Sequence, residues 1–131
     1  MKSNRLTAQI IKPIAEVFAF TIEPKNASRW MPDVVAGDRS DWQLKAGSTY
    51  RLQYKNGEWK DFDVVDSDLN KIFELQSRDG NYHIRYSFKP INSFKTDMEF
   101  FEWVDDGDIE VPLTNQILTK LRMAIELKNI K

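Results

Sequence analysis

The chain has 131 residues, 41% of them apolar and 30% charged, which suits a single globular domain spanning residues 1–131. Such a domain buries roughly two thirds of its unfolded surface and needs no covalent staple. Nineteen basic residues face 20 acidic ones, so a net charge of −1 excludes a general attraction to nucleic acid or an anionic membrane and leaves room only for a local basic patch. The absence of cysteine excludes disulfides, thiolate nucleophiles and cysteine-ligated metals.

In the opening "MKSNRLTAQIIK" the apolar run ends at Ile10-Ile11 before Lys12, too short for a signal-peptide core. No stretch approaches the roughly 20 apolar residues of a membrane span, so the expectation is a cytoplasmic protein. "RLTAQIIK" reads as a first strand. "PIAEVFAF" puts Ile14, Val17 and Phe18 on one helical face, and "PKNASRW" reads as a second short helix. Pro13, Pro24 and Pro112 each precede a helix-compatible stretch, where the missing N–H costs nothing, while Pro32 and Pro90 are expected in loops. Neither early helix is long enough to persist alone in water, so both need a large partner surface.

The middle of the chain supplies that surface. Asn56-Gly57 and Asp79-Gly80 separate strand patterns as hairpin turns, and "SFKTDMEFFEWVDDG" adds another strand ending in an acidic turn. Consecutive antiparallel pairing makes a meander. The period then changes. "PLTNQILTKLRMAIELKNI" carries Leu113, Ile117, Leu121, Ala124 and Ile125 at helical spacing, predicting a C-terminal helix roughly 28 Å long.

Strand parity sorts the two faces of the sheet. Tyr50, Leu52 and Tyr54 share one face with Phe62, Val64, Phe73, Leu75, Tyr82, Ile84, Tyr86, Phe88, Thr96, Met98 and Phe100. Opposite them stand Arg51, Asp61, Asp63, Glu74, His83, Arg85, Lys95, Asp97 and Glu99, a mixture that water-facing strands tolerate. The inner face is either a filled core or a partly hollow one that admits an apolar guest. Tyrosines recur where a packed core favours aliphatic side chains, and a buried hydroxyl wants a partner. One conflict stands out: Phe101 and Trp103 fall on the polar face and Glu102 on the inner one. A bulge near Phe100-Phe101 would re-aim them. Without a bulge, Trp59, Phe101 and Trp103 form an exposed aromatic patch suited to a homodimer contact.

Strand, two short helices, meander and long terminal helix resemble the helix-grip fold of the START-like superfamily, also called SRPBCC, the polyketide cyclase/dehydrase and lipid-transport group. The likeness is carried by "IIKPIAEVFAFTIEPKNASRWMPDV", "WQLKAGSTYRL" with Gly47 before a strand, and "FDVVDSDLNKIFELQS". It covers nearly the whole chain. It implies an α+β fold in which a curved antiparallel sheet of about six or seven strands wraps the C-terminal helix around a cavity. The two short helices would close one end, with Trp30 wedged against the cavity.

Chemical motifs are sparse. His83 is the only histidine and lies on the polar face, so no Ser-His-Asp set forms on the inner side. A zinc site lacks ligands, and the acidic runs at 66–68 and 104–110 lack the 12-residue spacing of an EF-hand loop. No catalytic residue, metal or cofactor is assigned. The first expectation is a non-enzymatic carrier or sensor for a lipid, sterol or aromatic polyketide-like molecule. Its pocket would be lined by Trp30, Tyr50, Leu52, Phe62, Tyr82 and Tyr86, together with Phe88, Met98, Phe100, Leu121 and Ile125. The alternative is a polyketide cyclase or dehydratase using tyrosines and Glu102 as acid/base groups. A third reading is a protein-interaction module, since the resemblance extends to activators of a heat-shock chaperone ATPase.

Overall fold

Alternating apolar and polar side chains produce six of the seven strands, and tertiary pairing orders all seven into one antiparallel sheet. A computed structural model describes residues 1–127. Strand β1 (Ser3–Ile10) is followed by helix α1 (Ile14–Ile22) and a 3-10 helix (Pro24–Arg29). Strands β2 (Val34–Arg39), β3 (Thr49–Tyr54), β4 (Trp59–Asp68), β5 (Ile72–Ser77), β6 (Tyr82–Asn92) and β7 (Lys95–Val104) follow, then helix α2 (Asn115–Glu126). The sheet order is β1-β7-β6-β5-β4-β3-β2, curled into a half-barrel. Every neighbour is sequential except β1 beside β7. The two short helices therefore carry the chain from one edge of the sheet to the other. That crossing explains why they lie between the first strand and the meander.

Both glycine hairpins form. Gly57 and Gly80 take φ of 89° and 81°, the left-handed conformation those turns require. Strand β2 carried no clear alternation in the sequence. It forms because β3 offers its edge and the 3-10 helix packs on its face. At Gly37 that approach is so close that an added Cβ would overlap the Pro24 carbonyl. Pro90, expected in a loop, lies inside β6. Its missing N–H falls where the β6–β7 register slips between Pro90 and Asn92.

Helix α2 is shorter than its periodicity suggested. Its 12 described residues span about 18 Å. Thr114 caps it, its Oγ1 accepting from the Ile117 N–H at 3.2 Å. Leu113 therefore lies before the helix, and residues 128–130 of the expected helix lie outside the described residues. Among the described residues, no helix is long and apolar enough to cross a membrane.

The core sits on the concave face. Tyr86, Phe88 and Met98 are buried there, while Arg85 and Glu99 face water. Leu118, Leu121 and Ile125 seal α2 against β1, α1 and the 3-10 helix. Phe18 meets Phe88 edge-on at 5.0 Å. Trp30 meets Tyr86 and Phe100 edge-on, each at 6.2 Å. These rings close the half of the grip beneath the helices.

The expected bulge near Phe100 is absent. Strand β7 pairs without a slip from Thr96 to Trp103 with β1 and from Thr96 to Val104 with β6. Phe101 and Trp103 stay on the outer face because a ladder supports them. Trp103 stacks on His83 at 4.7 Å and on Phe101 at 5.0 Å, and the Arg5 guanidinium covers Phe101 at 4.3 Å. Trp59 is not part of that ladder. It lies under Arg51 at 5.0 Å on β4, with β5 and β6 between it and Trp103.

Candidate functional site

At the other end of the concave face the side chains leave a cavity of about 590 Å³. Its wall is built by parity from Leu52 on β3, Phe62 on β4, Leu75 on β5 and Ile84 on β6, joined by Val104 at the end of β7. Met31 and Val34 close it beside the 3-10 helix, and the connection from β7 to α2 covers it with Ile109, Val111 and Leu113. Charged residues, including Lys60, Arg78, Asp79 and Glu110, rim its mouth. The size and the apolar wall suit a small organic guest. The cavity lies under the segment leading into α2 rather than under α2 itself. The helix is occupied with β1, α1 and the 3-10 helix.

The polar element of this site is tyrosine. All four tyrosines of the chain sit on the concave face, and Tyr54, Tyr82 and Tyr86 border the cavity. Burial raises the phenols of Tyr50, Tyr54, Tyr82 and Tyr86 above their ordinary range; the Glu102 carboxylate adds to the effect at Tyr82, as does neighbouring Tyr50 at Tyr86. With their acidity lowered in this way, they act near neutral pH as neutral hydrogen-bonding groups. The Tyr86 and Tyr50 hydroxyls are buried without a protein partner. An unpaired buried hydroxyl costs about 1–3 kcal/mol. Tyr50→Phe should therefore raise stability by about 1 kcal/mol in urea denaturation and leave guest binding alone. Tyr86→Phe should give a similar gain in the empty protein and weaken any guest whose oxygen meets that hydroxyl.

Glu102 is buried beside the cavity without bordering it. Its Oε1 accepts from the Tyr82 hydroxyl at 2.6 Å. Its Oε2 accepts from Asn4 Nδ2 at 2.8 Å and from the Leu113 N–H at 2.7 Å. Asn4 Nδ2 also donates to the Leu113 carbonyl at 2.9 Å. One carboxylate thus ties β1, β6 and β7 to the covering segment. Asn81 adds a second tie: its Nδ2 donates to the Asp106 carbonyl at 3.0 Å, and its Oδ1 accepts from the Asp106 N–H at 2.8 Å. Chemically this is a fastening, since both Glu102 oxygens already serve protein donors.

Of the pocket residues expected from sequence, Leu52, Phe62, Tyr82 and Tyr86 border the cavity. Trp30, Tyr50, Phe88, Met98, Phe100, Leu121 and Ile125 are buried in the closed core and do not border it. Tyr54, Leu75 and Ile84 were not named for the pocket, although the same parity placed them inside. Ile109 had no signal because it lies in a stretch that reads as an acidic turn, and Val111 falls between that turn and the helical pattern. His83 Nε2 lies 3.0 Å from Asp105 Oδ2 on the outer face, stacked on Trp103 and not among the residues that line the cavity. Among the described residues, no three His, Asp or Glu side chains converge as a metal site.

No protein-family model matches the chain, and no curated protein matches it in sequence. Solved structures match in fold. A conserved protein of unknown function from Enterococcus faecalis superposes with a TM-score of 0.72 at 12% identity, covering 98% of this chain and 74% of that one. The Aha1 dimer from Colwellia psychrerythraea gives 0.69 at 17% identity, covering 98% and 99%. A START superfamily protein from Mycobacterium smegmatis gives 0.69 at 13% identity, covering 98% and 97%. At such identities the likeness speaks for architecture: the chain has the START-like helix-grip fold.

Proposed function

We infer that the protein binds a small hydrophobic molecule, as a carrier or sensor, in the cavity between the sheet and the segment 108–113. One observation carries this reading: a cavity of about 590 Å³ has an apolar wall, and among the residues that border it is Tyr86, whose buried hydroxyl has no protein partner. A guest with a long apolar body and one hydrogen-bonding oxygen fits both features. Fatty acids, sterols and aromatic polyketides are the classes to try. A cyclase or dehydratase reaction is less well supported. Glu102 is spent on holding the covering segment, and the phenols are held neutral.

Thermal denaturation against those three classes tests the reading. A guest at 100 times its Kd adds about 2.7 kcal/mol, a rise in Tm of roughly 10 °C for a domain this size. Ile84→Trp puts a large ring into the cavity from a β6 position. It should abolish the shift while the protein still unfolds cooperatively. No shift with any class, or an undiminished shift in Ile84→Trp, contradicts the reading.

A further inference from the structure

The rim of the half-barrel opposite the cavity carries a second pattern. Four connections meet there: β1 to α1, β2 to β3, β4 to β5 and β6 to β7. Each puts one large apolar side chain into water. Ile11 is 61% exposed, Trp42 95%, Leu69 73% and Phe94 72%. A single such residue needs no explanation, but one on every connection of the same rim does. Each also has a lysine within three residues, namely Lys12, Lys45, Lys71 and Lys95. Among the described residues none of these lysines is in an ion pair, whereas Lys55 at the cavity end meets Asp33 at 3.6 Å. Asp41 is the one acidic residue within the connections themselves, and the Ser48 hydroxyl donates to it at 2.6 Å. Asp68 and Asp97 stand at adjoining strand ends, and Glu126 Oε2 accepts from the Ile11 N–H at 2.8 Å with Arg122 3.8 Å from its Oε1, so the rim has no large net charge and its positive charge lies in the four lysine side chains.

We propose that this rim docks on an anionic lipid surface. Ile11, Trp42, Leu69 and Phe94 enter the headgroup layer while the four lysines face lipid phosphates and carboxylates. The arrangement favours a membrane over a protein partner. The tips stand on separate loops spread over seven strands, an arc of roughly 29 Å at about 4.8 Å per strand gap. A folded partner buries one contiguous patch, whereas a fluid layer receives separated tips equally well. Tryptophan also favours the membrane–water interface, and each lysine that comes within a Debye length of anionic headgroups adds attraction. The net charge of −1 means that the rim, and not the whole protein, must supply the attraction. Docked this way, the protein turns its cavity mouth toward water. The proposal rests on the exposed tips and stands apart from the cavity reading.

Co-sedimentation of the full chain with phosphatidylcholine vesicles, with and without phosphatidylserine, tests it. Binding is expected to vesicles containing phosphatidylserine and to weaken as salt rises. The double change Trp42→Ala and Phe94→Ala should lower partitioning about tenfold or more, because interfacial binding scales with the apolar area inserted. Lys45→Glu with Lys71→Glu should lower binding to the anionic vesicles most. All four positions are at the surface, and unchanged thermal unfolding will show that the variants fold. Ile84→Trp, which fills the cavity, should dock normally. Failure to bind either vesicle, or undiminished binding by the Trp42/Phe94 variant, would overturn the proposal. So would capture by polyglutamate without any binding to vesicles, which would point to an acidic protein.

Discussion

Glu102→Ala should destabilise the protein by about 4 kcal/mol, because it removes the shared acceptor of three hydrogen bonds at once. The Tyr82 hydroxyl, Asn4 Nδ2 and the Leu113 N–H all converge on that carboxylate. The carboxylate itself is only 1% exposed, so its loss is felt inside the fold. Urea denaturation measures the loss directly. Amide exchange should show where it arises. Leu113 and the segment before it should lose protection before the β3–β4 hairpin, because the carboxylate fastens that segment to the sheet. Tyr82→Phe removes one donor and leaves the carboxylate two, so it should cost about 1 kcal/mol. A Glu102→Ala loss no larger than that of Tyr82→Phe would mean that the three bonds do not act together.

Gly37→Ala should cost about 3 kcal/mol, at the upper end of what overpacking does. The added methyl meets the Pro24 carbonyl oxygen and carbon as well as the Pro24 ring. A flexible side chain could turn away, but these atoms are backbone, and the proline ring fixes its own φ. Relief requires lifting the 3-10 helix from β2, which loosens the crossing from one sheet edge to the other. Gly47→Ala is the matched control. Nothing lies within 4 Å of a Cβ there, and only its φ of 95° resists, so the cost should be about 1 kcal/mol. Denaturant midpoints for the two variants separate close approach from backbone strain. Equal losses would mean that the helix yields freely.

These two positions also mark where sequence reasoning runs out. Alternation placed Tyr86, Phe88 and Met98 inward and Arg85 and Glu99 outward, because a pleated strand allows only two directions. The same rule put Glu102 inside. It looked like a conflict because a buried carboxylate is costly without partners, and two of the partners, Asn4 and Leu113, are distant in sequence. A bulge is the cheaper local explanation, yet the continuous β7 register removes it. Gly37 gave no sign of its contact with Pro24, since close packing between separate elements leaves no periodic trace. The start of α2 was misplaced because Leu113 continues the helical spacing, while Thr114 supplies the cap that sets the boundary.

The aromatic inner face had two readings, packed or hollow, and the fold contains both. Trp30, Phe100 and Tyr86 pack edge to face beneath the helices, while Leu52, Phe62 and Ile84 wall the open half. Parity says which way a side chain points. It does not say where along the strand the covering element ends. That depends on how far the short helices and the 108–113 segment reach, a property of tertiary packing.

The central claim is that the open half holds an apolar guest. The most direct measurement is a crystal structure of the protein with a molecule that raises its Tm. The account predicts density against Leu52, Phe62 and Ile84, with an oxygen in hydrogen-bonding reach of the Tyr86 hydroxyl. A guest lodged on the outer face beside His83 and Trp103, with the cavity collapsed onto Ile109, would contradict it.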